Sequence, residues 1–153
     1  MKLLSLLIIF LVINFGGLAL GNWFMGNGPQ TQWYLSLNKA PWTPPGWVFG
    51  VAWFSIMVCF SIYMAYLYKL IPEYQVILLF GIQFMLNVSW NYVFFNKQYI
   101  ALGFIVILLL TLVIALLLYL YAKPLKSINL LILPYLLWLI IASTLNGYIL
   151  FNN

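Results

Sequence analysis

Five apolar runs, near residues 3–21, 46–68, 75–95, 99–121 and 128–150, occupy most of this sequence, and lysine, proline or asparagine marks their ends. Each approaches the roughly 20 residues that a helix needs to cross about 30 Å of hydrocarbon. Backbone groups in lipid have no water to bond, so each run is expected to satisfy its own hydrogen bonds as a helix. Only 5% of the residues are charged and 67% are hydrophobic, whereas soluble domains carry about 25% charged residues. The expectation is an all-α integral membrane protein, one domain over residues 1–153, folded as a five-transmembrane-helix bundle and passing the bilayer several times. The first run has a rival reading as a signal peptide, from Lys2, the stretch Leu3 to Ile13 and the small residues around Ala19.

Charge narrows the partners. The chain has six lysines, no arginine, no histidine and one acid, Glu73, for a net charge of +5. The lysines stand singly near the ends of apolar runs, where they snorkel to headgroups. Nucleic-acid binding needs a clustered basic face, so the expected partner is the lipid bilayer and not nucleic acid. Lys2, Lys69, Lys123 and Lys126 fall on one side and Lys39 and Lys97 on the other. That bias favours a cytoplasmic N-terminus in a cell membrane.

With no histidine and one acid there is no Ser-His-Asp site, no carboxylate pair and no ordinary zinc site. A conventional hydrolase is excluded; no catalytic residue, metal ligand or required cofactor is assigned. Cys59 stands alone and cannot form an intrachain disulfide.

The connection 22–43 is long, and its Trp23, Phe24, Trp33, Tyr34, Leu35 and Leu37 are too apolar for disorder. It reads either as an aromatic belt at the headgroups or as a lid over a cavity. Next comes "APWTPPGWVFGVAW", residues 40–53. Here Thr43 is expected as N-cap, Pro44 as the first helical residue and Pro45 as a second fixed angle, so the prolines start the second span at a defined point. Phe49, Trp53, Ile56 and Phe60 then recur at helical spacing.

Polar residues enter two other spans. Phe80, Gln83, Asn87, Trp90, Asn91 and Phe94 share a face of the third; Tyr135, Trp138, Ala142 and Asn146 share one of the fifth. At bilayer depth such groups face the bundle interior, either bonding across helices at about 0.6 kcal/mol each or lining a pocket. Spacing leaves both readings open. The pairs Gly17/Gly21 and Ser143/Gly147 predict close helix approach, and the fourth span, with Gly103, Thr111 and Ala115, reads as lipid-facing or dimer-forming.

The stretches "WYLSLNKAPWTPPGWVFGVAW", "QFMLNVSWNYVFF" and "LPYLLWLIIASTLNGY" resemble, in order and spacing, the signatures of the TspO/MBR family, the translocator or tryptophan-rich sensory proteins that include the peripheral-type benzodiazepine receptor. The resemblance runs from about Trp33 to Tyr148. It implies a five-helix bundle, commonly a homodimer, with a pocket under the first long loop that binds porphyrins such as protoporphyrin IX, and in animal members cholesterol and synthetic benzodiazepine or isoquinoline-carboxamide ligands. Carried over by position, Trp53, Asn87, Trp90, Trp138 and Ala142 look like the pocket wall, to which the helical spacing adds Phe94, Tyr135 and Asn146. Trp33, Trp42, Pro44 and Pro45 resemble the loop and entrance that close it. A flat apolar macrocycle needs aromatic faces to stack on and a few amides to orient its polar edge.

Two departures stand out. This chain reads Lys39-Ala40-Pro41 where members often read Lys-Pro. The animal cholesterol motif needs a basic residue after the tyrosine of the last helix, and Tyr148 is followed only by Ile149, Leu150, Phe151, Asn152 and Asn153. Cholesterol is therefore not expected as the natural ligand. Three functions remain in view: a receptor or carrier for tetrapyrroles, a light-dependent porphyrin-degrading enzyme with Trp53 and Trp138 as photochemical residues, and a regulatory or structural membrane partner.

Overall fold

The computed structural model describes residues 1–153. It is all-helical: α1 Leu3–Met25, α2 Gln32–Ser36, α3 Gly46–Leu70, α4 Tyr74–Asn91, α5 Ile100–Leu120, α6 Ala122–Leu125 and α7 Leu133–Asn152. Five helical segments, built on α1, α3, α4, α5 and α7, are long and apolar enough to cross a membrane. They close a ring in the order α1, α3, α7, α5, α4, so α4 and α7 lie on opposite sides of α5 and face each other across the interior.

Local chemistry sets the ends. Gly26 stops α1 with a left-handed φ of 57° that only glycine adopts freely, and its N–H returns to the carbonyls of Asn22 and Trp23. Beyond Asn91, α4 widens into a π-turn over Tyr92–Asn96, closed by Lys97 N–H on the Tyr92 carbonyl. Phe94 and Phe95 of that turn are both buried, Phe95 against Gly28 and Tyr34 of the loop. The last span begins at Leu133 rather than 128. Pro134 sits in its first turn and lacks the N–H that an earlier start would require, so Lys126–Ile132 forms a 3-10 stretch instead.

The expected cap at Thr43 is not formed. Pro45 occupies the N-cap position of α3, and the Thr43 hydroxyl donates to the Ala40 carbonyl at 2.7 Å. The proline-rich stretch has another use. Asn38 exchanges hydrogen bonds with Asn153, and Trp42 reaches Thr144 and Tyr148. The chain therefore runs about 13 Å down α7, nine residues at 1.5 Å each. This irregular stretch lies against an apolar face, and Pro41, Pro44 and Pro45 carry no N–H that would need a partner there.

Packing is graded along the ring's axis. Fully buried Met57, Phe60, Tyr63, Met64 and Leu67 of α3, Ile114 and Leu117 of α5, and Tyr135 and Leu139 of α7 fill the half nearer Lys69 and Lys123. Polar ties knit neighbours: Asn14 donates to Ser61 at 2.8 Å, the Tyr63 hydroxyl to the Leu117 carbonyl at 3.1 Å, and Thr111 and Ser143 share a bond of 3.3 Å. The glycine pair of α1 serves the intramolecular contact with α4. A methyl group on Gly17 would come within 2.5 Å of the Phe84 ring, and one on Gly21 within 2.7 Å of the Asn91 amide. The outer faces, with Leu4, Val12, Phe54, Ile82, Leu112 and Ile140, are exposed and apolar, as a lipid-facing surface is.

Candidate functional site: an aromatic chamber between two braces

Nearer the long loop, three side chains that point between the helices, Trp53, Asn87 and Trp90, are only half-buried. Two polar braces cross the interior from α4 to α7. The lower joins the Tyr135 hydroxyl to Gln83 Oε1 at 3.0 Å, with both residues buried. The upper joins Trp90 Nε1 to Asn146 Oδ1 at 3.3 Å, and the Asn146 amide donates back to the Ala142 carbonyl at 2.9 Å. At 1.5 Å per residue the braces stand about 10 Å apart along α4 and about 16 Å apart along α7.

Between them the predicted residues converge. Asn87 lies one turn above Gln83, Trp138 and Ala142 lie one and two turns above Tyr135, and α3 supplies Phe49 and Trp53. The Trp53 ring stands 5.9 Å from that of Tyr135, edge to face, and Phe49 stands 5.2 Å from Trp138 in the same geometry. Trp53, Asn87 and Trp90 are half-buried, in contrast to the sealed half below. The Asn87 amide and the indole nitrogens of Trp53 and Trp138 make no hydrogen bond within the chain. None of these atoms is closed off from contact. A donor left free at the edge of an aromatic interior is one a ligand can use.

The roof is aromatic. Trp90 stacks on Phe94 at 5.3 Å with planes 11° apart, and Trp33 and Tyr34 of α2 meet Phe94 from the loop side at 5.8 and 6.5 Å. The loop therefore packs across this end of the bundle, with Gly28 pressed so closely on Phe95 that a methyl group there would fall 2.6 Å from the ring. Burial raises the Tyr34 phenol above its usual range.

Not all the entrance residues reach the chamber. Trp42 is 54% exposed and sits on the outer face of α7. Pro44 and Pro45 lie at the start of α3, outside the wall. The sequence reading missed Phe95, Tyr34 as part of the roof, and the pairing of Gln83 with Tyr135. Tyr34 carried a signal as part of an apolar loop, Gln83 and Tyr135 as members of the interior faces, and Phe95 as the residue four after Asn91. Two hollows of about 450 Å³ open on the outer surface, one between α5 and α7 around Phe104, Thr111 and Ser143, the other between α1 and α4 around Phe24, Phe84 and Tyr92. They lie away from the free donors.

The loop, the opposed aromatic faces and the amides of α4 and α7 all fall within one sequence pattern. The TspO/MBR family profile matches residues 8–151. This chain belongs to the TspO/MBR family. It is similar to a tryptophan-rich protein TspO of Chlorobaculum tepidum, 34% identical over 145 residues that cover 90% of this chain and 92% of the relative. It is also similar to a tryptophan-rich sensory protein of Cereibacter sphaeroides, 30% identical over 75% of this chain and 73% of the relative. The translocator protein of Homo sapiens is 28% identical over 85% of this chain and 79% of its own length. The TspO/MBR match thus takes in α3, α4 and α7 and the loop, the parts that build the chamber.

Proposed function

We propose that this protein is a membrane receptor that binds porphyrin-type tetrapyrroles between the two braces, with Trp53, Trp90 and Trp138 stacking on the macrocycle and Asn87 orienting its polar edge. The observation that carries this reading is the set of donors without a hydrogen-bond partner in the chain, Trp53, Asn87 and Trp138, between the two braces, where Trp53 and Asn87 are only half-buried. Aromatic faces supply the area, and the free donors give direction. The outer hollows offer area without such donors. The names of the relatives, one a sensory protein and one a translocator protein, agree with a receptor or carrier role. Synthetic benzodiazepine and isoquinoline-carboxamide compounds, also flat and apolar, are ligands of the same chamber. We place the protein in a cell membrane as a homodimer, with its four-lysine end cytoplasmic.

The test is titration with protoporphyrin IX in the dark, followed by tryptophan quenching. Saturable binding at micromolar concentration or below is expected for the wild type, with a loss of at least tenfold for Asn87→Ala combined with Trp138→Phe. Binding that ignores both substitutions places the ligand elsewhere.

A second reading has its own observation: the Trp53 and Trp138 rings pack edge to face on Tyr135 and Phe49 with their nitrogens free of hydrogen bonds, and a macrocycle bound between the braces and excited by light would lie against them. Light-dependent porphyrin degradation then depends on them. Unchanged bleaching in the Trp53→Phe, Trp138→Phe variant removes this reading.

A further inference from the structure

We infer that Lys39 reads the charge of the ligand, pairing with a carboxylate on its edge, so that the chamber takes flat apolar molecules with an acidic group towards the loop in preference to their neutral esters. This rests on the tetrapyrrole reading above. Lys39 is the only charged residue among 22–45, the segment that packs across this end of the bundle. Its ammonium folds back over the end of α2: it donates to the Tyr34 carbonyl at 2.8 Å and to those of Leu35 and Leu37 at 3.3 and 3.4 Å, and stands 4.8 Å above the Tyr34 ring. Tyr34 in turn packs on Phe94, which stacks on Trp90 of the upper brace.

The three oxygens that this cation meets are neutral backbone carbonyls. Burial raises the Tyr34 phenol above its usual range, and Glu73, the sole acidic side chain, precedes α4 at the far end of the bundle. α4 alone, 18 residues at 1.5 Å each, puts about 27 Å between Glu73 and the end of the bundle that carries the loop. A partly desolvated ammonium beside apolar rings gains most from an ionised partner. Two of its three bonds are long, so they are the ones a carboxylate displaces. Its position is also fixed from behind, because the neighbouring Asn38 backbone gives and receives a bond with the Asn153 side chain. Lys97, the other lysine at this end, is exposed and stands 5.4 Å from the outward Tyr92 ring. It makes a suitable control.

The experiment compares protoporphyrin IX, which carries two carboxylates, with its dimethyl ester, in the dark and in neutral detergent, for wild type, Lys39→Met, Lys39→Arg and Lys97→Met. The wild type should bind the diacid about tenfold more tightly than the ester, the gain of one charge-assisted bond. Lys39→Met should remove that preference while leaving ester affinity unchanged, Lys39→Arg should keep it, and Lys97→Met should not alter it. Equal weakening of both compounds in Lys39→Met assigns Lys39 to capping α2 and overturns the proposal. So does a preference that survives Lys39→Met, one lost in Lys97→Met, or wild type that binds both compounds equally. Wild type that binds neither overturns the tetrapyrrole reading itself and this proposal with it.

Discussion

Tyr135 and Gln83, on helices that are not neighbours in the ring, join by a 3.0 Å hydrogen bond inside the bundle, where neither is more than 1% exposed. The bond ties α4 to α7 and forms the lower of the two braces. Tyr135→Phe leaves Gln83 Oε1 without a donor and should cost about 1–2 kcal/mol, at the upper end for a bond within a membrane bundle. Gln83→Leu should cost a similar amount by stranding the hydroxyl. The double variant should recover most of the loss, because neither polar group is then left alone. Unfolding in detergent measures all three. Additive losses would mean that the two residues do not act as a pair.

Ala142 sits between the braces on α7, two turns above Tyr135, where a larger side chain would occupy the space assigned to ligand. Ala142→Leu should weaken protoporphyrin IX binding by at least tenfold. The fold should lose no more than about 1–3 kcal/mol, the usual range for an overpacked site. Titration and thermal unfolding of the same sample separate the two effects. Full affinity with normal stability would move the ligand away from α7.

Much of this arrangement was legible because lipid makes polar residues point inward. Asn87, Trp90, Phe94, Trp138, Ala142 and Asn146 could be assigned to interior faces from spacing alone. Their pairings could not, since Gln83 had several acceptors and donors within reach on paper and only the ring order brings Tyr135 opposite it. Phe95 stands four residues after Asn91 and shares its face, but its partners, Gly28 and Tyr34 of the loop, follow only from the fold. Thr43 misled in a different way: a good cap residue followed by two prolines reads as a helix start, but its hydroxyl turns back to Ala40. The glycine pair of α1 showed that a close contact exists, while its partners, Phe84 and Asn91, follow from the fold.

Adjacent glycines on α1 should respond with opposite signs. A methyl group on Gly16 would meet no atom within 4 Å, whereas one on Gly17 would fall 2.5 Å from the Phe84 ring. Gly16→Ala should be neutral or stabilise by up to about 1 kcal/mol, through helix propensity. Gly17→Ala should destabilise by about 1–3 kcal/mol, because the stiff ring or the whole of α1 must move. Thermal unfolding of the two variants side by side checks this, and equal effects would show that α1 does not pack tightly on α4 at this point.

Trp42 gives the loop a hold outside the chamber, donating from its indole to Thr144 at 3.1 Å and meeting the Tyr148 ring edge to face at 5.5 Å. If the loop is the door, loosening this hold should change how fast ligand passes more than how tightly it binds. Trp42→Leu removes one hydrogen bond and one aromatic contact, about 1 kcal/mol together, which corresponds to about a fivefold larger open population. Stopped-flow quenching with protoporphyrin IX should show association and dissociation both several-fold faster, with Kd nearly constant. Trp47 is 71% exposed and makes no such bond, so Trp47→Leu should leave both rates unchanged. Rates unaffected by Trp42→Leu would mean that ligand enters between helices from the lipid side, past the outer face and not beneath the loop.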